Sequence, residues 1–166
     1  DNFENGKISG DGVRLKQYIG ELFFLRAYAY FSMLQKWGDL PILIQAMNDD
    51  EAALIGASKR SPRNEVARFI LKDLDLAAEY MVPNFEPRHT RISQDCAYLM
   101  KSRVALFEGS WLTNFKDTPF VPNGKGWPGA VKDYNKDYEF PAGDIDKEAR
   151  FFFQEAVKSA ELVAQK

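Results

Sequence analysis

Between Phe115 and Pro141, six aromatic rings (Phe115, Phe120, Trp127, Tyr134, Tyr138 and Phe140) are interleaved with Asn123, Lys125, Asp133, Asn135 and Asp137. Flat rings beside amide, ammonium and carboxylate groups suit a sugar. The ring covers the C–H face of a pyranose while the polar groups pair with its hydroxyls. The candidate ligand-binding residues on this reading are Trp127, Tyr134, Tyr138, Asn123 and Lys125. Trp127 leads, because the glycines of Gly124-Lys125-Gly126-Trp127-Pro128-Gly129 are expected to hold it proud of the surface. The competing reading keeps the same rings as a local core that pins a long loop onto its neighbours. The glycine cluster is not a phosphate loop, since it lacks the Gly-x4-Gly-Lys-Ser/Thr order and no strand precedes it.

Elsewhere the residue types favour structure over catalysis. Arg26 falls in the most apolar stretch of the chain, where an isolated charge is costly, so it is expected to pair with a carboxylate on another helix, Asp73 first and Glu108 second. Arg103 is read as similarly placed in a later helix. The chain has one cysteine, Cys96, and one histidine, His89, which leaves no intrachain disulfide and no cysteine- or histidine-rich metal site. Cys96 is read as a small buried residue of a helix and His89 as a surface residue of the loop Pro83–Ile92. Asp133, Asp137 and Asp144 lack the alternating ligand order of a calcium loop. No nucleophile–base set or designated carboxylate pair appears, so no enzyme, cofactor or metal is expected. With 22 Lys+Arg against 24 Asp+Glu the net charge is −2, so no basic excess argues for nucleic acid.

The elements that must position these residues read as all-α. A helix is expected over 13–37, where Leu15, Tyr18, Leu22, Leu25, Ala29, Met33 and Trp37 form one stripe and Ile19, Phe23, Tyr30 and Leu34 a second. Apolar residues on nearly every side mark it as a central helix, ended by Gly38 and Pro41. A second helix is expected over 62–81, with Ser61 as cap and Pro62 in the first turn, and a third over 94–114 behind Ser93. The fourth covers 146–165, starting at Asp144 or Asp146. Pro41-Ile42-Leu43-Ile44 is the only strand-like run, too short for a sheet. Two successive helix pairs suggest tetratricopeptide-like hairpins with two long irregular loops, Asp39–Arg60 and Phe115–Gly143, where function is expected.

The helices also spell a family pattern. Gly20-Glu21-Leu22-Phe23-Phe24-Leu25-Arg26-Ala27-Tyr28-Ala29-Tyr30-Phe31 followed by Trp37-Gly38-Asp39-Leu40-Pro41 resembles the signature helix of the SusD/RagB nutrient-binding lipoproteins. Arg60-Ser61-Pro62-Arg63-Asn64-Glu65-Val66, Thr90-Arg91-Ile92-Ser93 leading to Lys101-Ser102-Arg103-Val104-Ala105-Leu106-Phe107, and Phe151-Phe152-Phe153-Gln154-Glu155-Ala156-Val157 follow in the family's order. The resemblance implies that residues 1–166 are a single helical domain of a longer protein. It implies non-catalytic binding of a glycan, oligosaccharide or peptide at the cell outer membrane, and delivery to a SusC-like TonB-dependent transporter. The membrane would be reached through a lipid-bearing cysteine that this sequence does not contain. The alternative is an intracellular helical-repeat scaffold that holds a protein segment in a groove.

Overall fold

The structure is a computed structural model that describes residues 5–7, 9–83 and 90–165. Its elements are α1 (Gly12–Trp37), α2 (Glu51–Ala57), α3 (Arg63–Tyr80), α4 (Gln94–Asn114), a 3-10 turn (Pro128–Val131) and α5 (Ile145–Ala164). Among the described residues there is no strand; Leu40 and Ser61 form an isolated bridge. The four long helices pack in sequence, α1 on α3, α3 on α4 and α4 on α5. Each neighbour runs antiparallel to the last: Arg26 meets Asp73, Lys101 meets Asp75, and Gly109 lies against Phe153. This is the helical-hairpin array expected from the sequence.

Local chemistry sets the helix ends. The Asp11 carboxylate accepts from Val13 N at 3.0 Å, Ser93 Oγ from Cys96 N at 3.4 Å, and Asp144 Oδ1 from Lys147 N at 2.7 Å. Gly38 closes α1 at φ 70°, donating its N–H to Leu34 O at 3.0 Å. At α3 the expected cap is wrong. Pro62 occupies the cap position and makes no side-chain bond, while Ser61 is turned away by two backbone hydrogen bonds to Leu40. The cap comes from a distance: Asp39 Oδ1 accepts from Arg63 N at 2.9 Å. Helix α2 lies inside the segment read as an irregular loop; Asp50 caps it through Ala53 N at 2.8 Å.

The structure decides which of the two apolar stripes of α1 is covered. The buried residues of this helix are Gln17, Gly20, Ala27, Tyr30, Phe31 and Leu34. The first expected stripe, from Tyr18 and Leu22 through Leu25 to Met33 and Trp37, faces outward, with Leu22 65% exposed. A helix apolar on most of its circumference has no phase of its own, so close approach decides. A Cβ at Gly20 would lie 2.7 Å from Met81 Cγ and 2.9 Å from Ala77 O, so only glycine lets the end of α3 come this near. Gln17 is buried despite its amide because Nε2 donates to Ile92 O (2.9 Å) and Oε1 accepts from Val82 N (3.0 Å). Glycine to alanine inside a helix ordinarily stabilises by about 0.5–1 kcal/mol. Here Gly20→Ala is expected to destabilise by about 1–3 kcal/mol through overpacking. A thermal melt of the variant at or above the wild-type midpoint would refute the close approach.

Cys96 is exposed rather than buried, one position off the inner stripe that begins at Ala97, and Arg103 also faces solvent. His89 lies outside the described residues.

Candidate functional site

The segment from Phe115 to Gly143 lies over one end of the helix array, and Asp39 ties it down. While Asp39 Oδ1 caps α3, its Oδ2 accepts the indole N–H of Trp127 at 2.8 Å. Burial raises the Asp39 carboxyl above its usual range, against the pull of the Trp127 indole and the Arg63 N–H. Trp127 is therefore not proud of the surface: it is 3% exposed. The neighbouring glycine has the opposite role from the one expected. A Cβ at Gly129 would fall 2.2 Å from Trp127 Cζ2, so its absence lets the ring lie flat over the backbone.

Around this anchor opens a cleft of about 720 Å³. All three tryptophans of the chain, Trp37, Trp111 and Trp127, line it. The Trp111 ring sits under the Arg63 guanidinium at 4.2 Å and donates its indole N–H to Phe120 O at 3.1 Å. Arg63 is in turn clamped by Glu108, with Nε to Oε1 at 2.9 Å and Nη2 to Oε2 at 2.8 Å, both side chains buried. The lining also includes three well-exposed rings: Trp37 at 67%, Phe120 at 60% and Tyr134 at 42%. Asn135 Nδ2 donates to Arg60 O at 3.2 Å and holds the Tyr134 stretch against the start of α3. The arrangement offers exposed ring faces beside solvent-facing polar side chains, which suits adsorption of a polyol.

Of the five residues predicted for ligand binding, the cleft gathers Trp127 and Tyr134. Tyr138 stands behind Trp127, ring centroids 5.8 Å apart, and its hydroxyl donates to Asn64 Oδ1 at 2.8 Å. Burial raises the Tyr138 phenol well above its ordinary range, so it remains a donor. Asn123 is exposed and donates to Tyr138 O at 3.0 Å, and Lys125 is exposed beside it; neither lines the cleft. Tyr138 and Phe140 thus act as the local core that the competing reading described.

Trp37, Trp111, Lys36, Arg60 and Lys132 were missed as cleft residues. Trp37 belongs to one of two apolar stripes on a helix, and Trp111 to a helix that reads as scaffold. The usable signal was Trp37-Gly38-Asp39, a ring at a helix end followed by a cap and a carboxylate. Arg26 donates Nε to Asp73 Oδ2 and Nη2 to Asp73 Oδ1, each at 2.7 Å, across α1 and α3 and away from the cleft. Among the described residues no group of three or more His, Cys, Asp or Glu side chains could hold a metal, and no helix is long and apolar enough to cross a membrane.

Comparison with known proteins points the same way as the helix pattern. A SusD-like family model, described as starch-binding associating with outer membrane, matches residues 3–106. The match covers α1, α3 and most of α4 and stops before the aromatic segment. SusD-like protein P2 of Formosa agariphila is 28% identical over 120 residues, which is 72% of this chain and 23% of that protein. SusD-like protein P38 of the same organism is 36% identical over 93 residues, 54% of this chain and 16% of the relative. A crystal structure of a SusD-like protein from Bacteroides fragilis superposes with a TM-score of 0.54 at 26% identity, over 82% of this chain and 28% of that one. This chain therefore spans less than a quarter of the length of the two curated relatives.

Proposed function

The chain belongs to the SusD-like family, and we propose from that premise that it binds an oligosaccharide in the Trp37–Trp127 cleft without chemically altering it. The observation that carries the reading is the set of exposed rings, Trp37, Phe120 and Tyr134, around a cleft of about 720 Å³. Exposed aromatic faces left unburied by a folded chain are suited to pyranose C–H faces, and the volume falls within the range of small-ligand sites. The family description supports a place at the cell outer membrane. Handover of the bound sugar to a SusC-like TonB-dependent transporter completes the proposal. In it the helices are the rigid frame and Asp39 is the pin that sets the cleft.

The test is a glycan-array screen of the protein and of Trp37→Ala. Trp37 is at the end of α1 and mostly in solvent, so its loss leaves the fold intact. Removing one stacking ring is expected to weaken the best glycan by about two- to tenfold, given about 0.5–1.5 kcal/mol per ring contact. Unchanged affinity in Trp37→Ala would remove the cleft as the site. Trp127→Ala is the wrong probe, because it also cuts the Asp39 hydrogen bond that holds the segment down.

A further inference from the structure

The charges around the cleft are not balanced. Its ionisable lining consists of Lys36, Asp39, Arg60, Arg63 and Lys132. Arg63 is matched by Glu108 in a buried two-bond pair, and Asp39 is occupied by the Trp127 indole and the Arg63 N–H. That leaves Lys36, Arg60 and Lys132, all exposed and, among the described residues, in no ion pair, with the Asp39 carboxylate as the one acid of the lining, near enough to Arg60 to feel its charge. They accompany the three exposed rings, on a chain whose net charge is −2. With Arg63 paired to Glu108, the cleft lining is net positive on a chain whose own net charge is negative. Several cations away from the cleft are paired, Arg26 with Asp73, Arg68 with Glu148, Lys101 with Asp75 and Glu155, and Lys116 with Asp146, but these do not sit beside three exposed rings.

We infer that the cleft takes an anionic oligosaccharide, one carrying carboxylate or sulfate groups on its sugar rings, and not a neutral glucan. The inference rests on the reading of the cleft as a carbohydrate site. The rings Trp37, Phe120 and Tyr134 take the sugar faces. Lys36, Arg60 and Lys132 take the anionic substituents as charge-assisted hydrogen bonds, which are about twice as strong as neutral ones. Carboxylate and sulfate share this chemistry: each presents planar or tripodal oxygen acceptors to an ammonium or guanidinium.

Calorimetric titration of the protein with length-matched neutral galactose, galacturonic acid and sulfated galactose oligomers decides it. At least one charged oligomer is expected to bind about tenfold more tightly than the neutral one at low salt, and to lose most of that advantage at high salt as screening shortens the reach of exposed charges. The triple variant Lys36→Gln, Arg60→Gln, Lys132→Gln changes only exposed residues. It is expected to lower affinity for the charged oligomer by about tenfold and for the neutral oligomer by much less, so that the preference between them disappears. Preference for only one of the two charged oligomers identifies which anion is recognised and supports the inference. If the neutral oligomer binds as tightly as both charged ones, and Trp37→Ala weakens it, the cleft reading stands and the anion inference is overturned. If no oligomer binds, or Trp37→Ala changes nothing, the cleft reading itself fails and the inference falls with it.

Discussion

Glu148→Ala is expected to destabilise the protein by about 3–5 kcal/mol, the range for removing one partner of a buried charge pair. Glu148 is fully buried near the start of α5 and serves four donors. Its Oε1 accepts from Asn64 Nδ2 at 2.9 Å and Arg68 Nε at 2.6 Å, and its Oε2 from Arg68 Nη2 and from Ala142 N at 2.9 and 3.0 Å. Arg68 is partly exposed and can recover water, so its share of the loss is the smaller one. The Asn64 amide is buried and would be left unmatched, at about 1–3 kcal/mol. Asn64 also holds Tyr138, whose ring backs Trp127, so the damage reaches the cleft. Urea unfolding of Glu148→Ala beside Glu148→Gln gives the measure. The glutamine variant retains an oxygen acceptor and is expected to lose less. A free energy for Glu148→Ala within about 1 kcal/mol of wild type would show that the hub is not cooperative.

Glu108→Leu should be of similar size and for a cleaner reason. Arg63 is 3% exposed and Glu108 fully buried, so neither charge can find water when the other goes. The single change is expected to cost about 3–5 kcal/mol, and the Arg63→Met, Glu108→Leu double variant to recover all but about 1–2 kcal/mol. Attraction between two buried charges mostly repays their desolvation, so removing both removes both terms. The methionine would still lie over the Trp111 ring that the guanidinium now covers at 4.2 Å. A double variant no more stable than Glu108→Leu would show that the pair itself, and not the stranded arginine, carries the energy.

These two acids show how partner choice escapes sequence reading. Glu108 was visible as an acid on a helix, but as a partner for Arg26. Arg63 attracted no attention because its neighbours Ser61-Pro62 read as an ordinary helix start. Pairing depends on which helices adjoin and in what rotation, and α3 presents Asp73 to α1 while presenting Arg63 to α4. The cleft escaped for a related reason. Lys36, Trp37, Arg60, Trp111 and Lys132 come from α1, the residue before the Leu40–Ser61 bridge, α4 and the segment after Trp127. Nothing in their spacing joins them.

Composition, periodicity and capping chemistry were enough to determine an all-α chain with long helices at 13–37, 62–81, 94–114 and 146–165, within a residue or two of the observed ends. Those features are local: a period of 3.6, a carboxylate or hydroxyl at the start, a glycine at the end. The order of the quoted segments carried the family as well. The tertiary structure alone decided which face of α1 is buried, that Trp127 points inward to Asp39, and which rings and cations meet at the cleft. A helix apolar on most sides and a loop rich in rings each admit several packings of similar hydrophobic energy. Close approach at Gly20, together with the need to satisfy buried carboxylates, selects among them, and both conditions exist only once the helices are side by side.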